Sequence, residues 1–254
     1  MAFVAVVAAL AVPRRQAVVV PAAPPASPAP ARTAQAPDDR PDPALVPPEE
    51  RAFLDECDKG QLAFNAGRFD AALAEFARAF ENNPRNAYAA NSAGQTLVRL
   101  GRPADAVAYL QQAVALAPDR GDFHFNLARA LGQEGRWTEA ASVYSRAADL
   151  APEHYPTAFN HAQALEKTGK DEDALAEYQR GSQLAPLEPS FRLAIGSLAE
   201  RLGRWDDSQR AYKEYLELVP DGGDSAKVQQ RLAQVDARLS AGDAGGSSSL
   251  PTRE

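Results

Sequence analysis

Several things are scarce in this chain, and each scarcity removes a class of function. There is one cysteine, Cys57, so no internal disulfide can form. Basic residues are outnumbered, 27 Lys and Arg against 34 Asp and Glu, for a net charge of −7. That balance disfavours nucleic acid, because neutralising phosphates needs a basic surface. The three histidines do not converge: His154 and His161 lie seven residues apart and His124 stands further off, whereas a metal centre needs three or four ligands at one point. No phosphate-binding glycine loop, GxSxG elbow or HExxH pair occurs. The paired acids Glu172–Asp173 and Asp206–Asp207 read as helix N-terminal residues, not as a catalytic dyad. Nothing calls for a cofactor or a metal, and an enzyme is not expected.

Long apolar runs are scarce too. Residues 2–12 (AFVAVVAALAV) are wholly apolar, but eleven residues are too few to cross a bilayer. They have the length of a signal-peptide apolar region without a basic residue before them. A membrane anchor, an export signal and a sticky cytosolic tail all remain open for residues 1–20. Residues 21–48 carry ten prolines among alanine and polar residues. Such a segment cannot build a core and is expected to be an extended, disordered spacer. An apolar end, a stiff spacer and a binding domain point to the cell envelope, periplasmic or membrane-anchored; the cytoplasm is the alternative.

What is present is a period. Pro84, Pro118, Pro152, Pro186 and Pro220 advance by 34 residues, and so do Gly67, Gly101, Gly135, Gly169 and Gly203. A fixed period of this length is one supersecondary unit stacked on itself. With proline at position 32, the units are 53–86, 87–120, 121–154, 155–188 and 189–222. Glycine at position 15 suits a helix C-terminus. The basic residue after it (Arg68, Arg102, Arg136, Lys170, Arg204) and the acid at position 18 or 19 suit the ends of two helices. Position 20 is small (Ala72, Ala106, Ala140, Ala174, Ser208) and position 24 is large (Phe76, Leu110, Tyr144, Tyr178, Tyr212). Position 27 (Ala79, Ala113, Ala147, Gly181, Tyr215) shares their helix face, and position 8 is again Gly or Ala. Each unit reads helix, turn, helix, proline turn.

These residues resemble the tetratricopeptide repeat, a 34-residue helix–turn–helix with Gly or Ala at 8, Ala at 20, an aromatic at 24 and Pro at 32. The resemblance covers 53–222, 170 of 254 residues. The family's Trp at position 4 is missing; Glu56, Ala90, His124, Ala158 and Arg192 stand there. The resemblance implies an all-α, right-handed α-solenoid over 49–222. The stripe Val228, Leu232, Val235 and Leu239 reads as a capping helix over 223–239, and 240–254 is expected to be a disordered tail. Eleven helices are expected in all.

The resemblance further implies a concave groove lined by positions 2, 5, 6, 9, 12 and 13 of each first helix. Those positions give Phe64, Tyr88, Phe125 and Phe159 as apolar anchors. Asn91, Gln95, Asn126, Asn160 and Gln163 supply amides able to pair with a peptide backbone, and Arg99, Arg129 and Lys167 supply charge. Asn126 and Asn160, both at position 6, are expected to project in register, and replacing them is expected to leave the fold intact. The Lys and Asn set with which co-chaperone repeats hold a C-terminal carboxylate fits no three consecutive units. The expected function is a non-catalytic scaffold for a protein or peptide partner, with envelope assembly as its setting. The alternative is an accessory or regulatory subunit of an enzyme or secretion complex.

Overall fold

A computed structural model describes residues 48–246. The apolar segment 1–20, nearly all of the proline-rich spacer and residues 247–254 lie outside the described residues. Eleven helices follow one another: α1 (Pro48–Asn65), α2 (Phe69–Asn82), α3 (Ala87–Arg99), α4 (Pro103–Leu116), α5 (Gly121–Gln133), α6 (Trp137–Leu150), α7 (Tyr155–Lys167), α8 (Asp171–Leu184), α9 (Pro189–Arg201), α10 (Trp205–Leu218) and α11 (Ser225–Gly246). No strand occurs among the described residues. The all-α solenoid expected from the period is what the chain forms.

The turn inside each repeat is closed by the same device five times. Gly67, Gly101, Gly135, Gly169 and Gly203 have φ between 72° and 78°, the left-handed region that suits glycine at a helix end. The next residue then donates its backbone N–H to a carbonyl five residues back, as Arg102 does to Leu97 and Arg204 to Ala199. The basic residue has a second task. Arg102 pairs with Asp105, Arg136 with Glu139 and Arg204 with Asp207, each three residues on, so the first-turn acid neutralises an arginine as well as meeting the helix dipole.

The seam between paired helices is the 20/24/27 face. Ala106, Leu110 and Ala113 of α4 are buried, as are Ala174, Tyr178 and Gly181 of α8, and the same positions of the other second helices. Position 8 must be small because position 24 leans on it. A Cβ on Gly94 would lie 2.5 Å from Leu110 Cγ.

Each helix lies against the next, and first helices also meet first helices: α3 against α5 and α5 against α7. No second helix meets another second helix as closely. An array whose first helices stand closer together than its second helices bends towards the first-helix side, which is therefore the concave side. At the C-terminal end, Val228 and Val235 of α11 bury against Tyr212 and Tyr215, so α11 covers the fifth repeat. The helix runs to Gly246, beyond the boundary at 239 expected from the apolar stripe, and so corrects the start of the expected tail.

Candidate functional site: the first-helix groove

The expected groove residues all lie on the first helices α1, α3, α5 and α7, but not in equal states. Tyr88 is 43 % exposed and donates its hydroxyl to Gln61 Oε1 at 2.9 Å. Arg99 is exposed and lies over the Phe69 ring at 5.0 Å; Phe64 meets the same ring edge-on. Gln95 and Gln163 are half-buried and Lys167 is exposed.

Two expectations change. Asn126 is only 6 % exposed and donates its Nδ2 to Asn91 Oδ1 at 3.0 Å; Asn91 is 3 % exposed. This pair ties α5 to α3, so Asn126 takes part in inter-repeat packing and its removal is expected to cost stability. Asn160 turns inward on its own helix, donating to the Pro156 carbonyl at 2.7 Å. The two position-6 amides therefore do not act alike. Phe159 is also packed away, edge-on to Tyr178 and Phe191 at 5.4 and 5.3 Å. Phe125 is half-buried, between Tyr144 at 5.9 Å and His154 at 5.0 Å.

Position 9 behaves differently. Gln95, Arg129 and Gln163 follow one another at 34-residue intervals, each partly buried. Among the described residues, none of the three side chains has a hydrogen-bond partner, and Arg129 Nε is fully shielded as well. The Arg129 guanidinium rests over Phe125 at 5.8 Å.

Further along the same side, a hollow of about 340 Å³ is lined by Ser197, Glu200, Arg201, Trp205, Arg231 and Arg238 among others. Its cations are already engaged. Arg201 pairs with Glu166 and Asp171, Arg231 donates to Ser197 and the Tyr212 hydroxyl, and Arg238 stacks on Trp205.

The remaining reactive groups are structural. Cys57 is buried; burial, with the charges of Asp58 and Glu56, pushes its thiol up to about 11, far from a reactive thiolate. His124 contacts the Pro118 carbonyl, His154 the Thr157 hydroxyl and His161 the Glu177 carboxylate, three separate places. No cluster of three or more metal-ligating side chains occurs among the described residues. No described helix is long and apolar enough to cross a membrane.

Tetratricopeptide repeat models match residues 57–97, 91–155 and 133–198. The chain belongs to the tetratricopeptide repeat family, whose members are in general protein-interaction modules. Comparison with curated proteins gave no match. Among solved structures, the chain is similar to MamA, at 21 % identity and a TM-score of 0.63 over 70 % of this chain and 96 % of that one. It is similar to YrrB, described as a tetratricopeptide protein with an unusual peptide-binding site, at 16 % identity and 0.62 over 72 % and 98 %. PilF of Pseudomonas aeruginosa is similar at 18 % identity and 0.64 over 77 % and 89 %. Identities this low speak for the fold.

Proposed function

We propose that the chain is a non-catalytic scaffold whose first-helix groove receives an extended segment of a protein partner. One observation carries this reading: three consecutive position-9 side chains of the first helices, Gln95, Arg129 and Gln163, stand half-buried without a hydrogen-bond partner among the described residues. Arg129 Nε is shielded without a partner, which costs stability, while the two glutamine amides stay open to a ligand. Amides and a guanidinium in register are suited to the carbonyls of an extended backbone. The peptide-binding site reported for YrrB supports the same use of this fold.

The test is site-specific photo-crosslinking in cells. A photoreactive phenylalanine analogue at Tyr88 or Gln163 is expected to trap the partner; the same probe at Arg146, exposed on the second helix α6, is not. Crosslinks from Arg146 alone would move the interface to the convex side.

The apolar residues 2–12 and the proline-rich stretch after them support an envelope address and a part in envelope assembly. Deleting residues 1–20 is then expected to move the protein from the envelope fraction to the soluble cytosolic fraction. Identical fractionation before and after deletion would refute the address.

A further inference from the structure

The repeats differ in one register that decides what the groove can select. In repeats four and five, position 12 is glutamate. Glu166 accepts from the Tyr178 hydroxyl at 2.7 Å, and Glu200 accepts from the Tyr212 hydroxyl at 2.8 Å. Each of these carboxylates also faces an arginine of the next unit: Arg201 meets Glu166 at 2.8 Å and Arg231 lies 3.7 Å from Glu200. A tyrosine, a carboxylate and an arginine thus recur as a set.

The third repeat lacks such a set: its Tyr144 and its Arg129 belong to two different registers, and neither has the carboxylate that its counterpart has. Tyr144 stands where Tyr178 and Tyr212 stand, but position 12 of its repeat is Gly132. A Cβ there would come within 3.1 Å of the Trp137 ring, so the ring occupies the space a side chain would need. Arg129 stands 102 residues before Arg231, three periods, at the same position 9. The residues that correspond to Arg231's partners Ser197, Glu200 and Tyr212 are Gln95, Val98 and Leu110. Arg129 consequently has no ion pair among the described residues, and its Nε is buried without a partner. The Tyr144 hydroxyl has no hydrogen bond among the described residues either. The acids of Arg129's own helix and turn are spent elsewhere, Asp122 on Arg120 and Glu134 on Arg136. The other deeply placed arginine, Arg192, has Glu214 as counter-ion at 2.7 Å, although its Nε and Nη1 are also buried without a hydrogen bond. Burial draws Arg129 below its ordinary pKa; Tyr144 offsets part of this and the like charge of Arg99 adds to it.

We propose that the centre of the groove selects an acidic residue of the bound segment, its side-chain carboxylate taking up Arg129 and the Tyr144 hydroxyl beside the Phe125 ring. The inference rests on the peptide-groove reading and adds the chemistry of one residue of the ligand. Charge complementarity fixes the occupant. A partly buried guanidinium without a counter-ion, its Nε fully shielded, is costly to the fold, and a partner's carboxylate, able to accept two parallel N–H bonds, offsets that cost on binding. The protein as a whole is acidic, so the preference must come from this local site and not from long-range attraction.

The probes are two fluorescein-labelled octapeptide pools, randomised apart from one central residue, glutamate in the first and glutamine in the second. Both are titrated by anisotropy against the full chain at physiological ionic strength, where charges beyond about 8 Å are screened. The wild type is expected to prefer the glutamate pool by about tenfold or more, the ratio set by a hydrogen bond to a charged group. Arg129→Met is expected to lose the preference while its thermal midpoint rises, since it removes an unpaired buried charge. Val98→Glu, which puts a carboxylate in register with Glu200, is expected to quench the preference with Arg129 still present. Equal binding of both pools by the wild type would overturn the acid preference and leave the groove reading standing. A preference that survives in Arg129→Met or Val98→Glu would place the acid elsewhere. Binding of neither pool would refute the groove reading itself.

Discussion

Asn91 and Asn126 occupy positions 5 and 6 of consecutive repeats, and one buried hydrogen bond joins them across α3 and α5. Truncating one partner leaves the other amide desolvated and unpaired. Asn126→Ala is therefore expected to destabilise the protein by about 1–3 kcal/mol. A double-mutant cycle with Asn91→Ala, read by urea unfolding, should show a coupling of about 0.5–3 kcal/mol; strict additivity would mean the bond contributes nothing. The sequence places both residues on the groove side by helix position alone. It is silent on whether a position-6 side chain points into the groove or into the seam beside it, because that depends on what the preceding repeat offers at position 5. Asn91 draws Asn126 inward; repeat four has Phe125 before it, and Asn160 turns to its own backbone instead. The unpaired state of Arg129 has a signal in the sequence, namely position 12 read down the repeats as Phe64, Val98, Gly132, Glu166 and Glu200. That column becomes informative only once Tyr178 and Tyr212 are seen bonded to its two glutamates.

Helices and turns were far more legible than side-chain states, because their determinants are local and repeat five times. Two glycines seven positions apart, Gly94 and Gly101, show that the same residue type serves two physical ends. Gly101 has φ of 73° and open space where a Cβ would stand, so Gly101→Ala is expected to cost only the left-handed backbone penalty, about 1–2 kcal/mol. Gly94 is helical and lies under Leu110, so the cost of Gly94→Ala is steric, about 1–3 kcal/mol. Repeating both substitutions in a Leu110→Ala background separates them. The Gly94→Ala penalty should nearly vanish there and the Gly101→Ala penalty should persist. Equal penalties in both backgrounds, measured by urea unfolding, would remove the steric account. The end of α11 was less legible for a local reason: the stripe that marks the helix ends at Leu239, while the chain continues helically through alanine and glycine to Gly246 without an apolar residue to signal it.

In the whole array each repeat touches only its neighbours, so stability is close to a sum of repeat and interface contributions, and an uncovered end loosens first. The fifth repeat is covered by α11. Val228 and Val235 are each 1 % exposed there, against Tyr212 and Tyr215, while Leu232 and Leu239 pack only partly. Polar ties fasten the same joint, Gln209 Nε2 to Asp236 at 2.7 Å and Arg231 to Ser197 at 2.7 Å. The apolar stripe identifies all four positions as cap residues but ranks them equally, since helical spacing carries no depth. The structure ranks Val235 and Val228 above Leu232. Val235→Asp places a carboxylate among the buried Tyr212, Tyr215 and Val228, where the arginines lining the adjoining hollow are already engaged. The damage should fall off with distance along the array. Hydrogen exchange is expected to accelerate in α11, α10 and α9, less in α7 and α8, and not at all in α3 to α5. Val235→Ala, which only empties a small volume, should give the same order with a smaller amplitude. Uniform acceleration through all five repeats would show that the array unfolds as one cooperative unit, and unchanged exchange in α9 and α10 would show that α11 does not cap it.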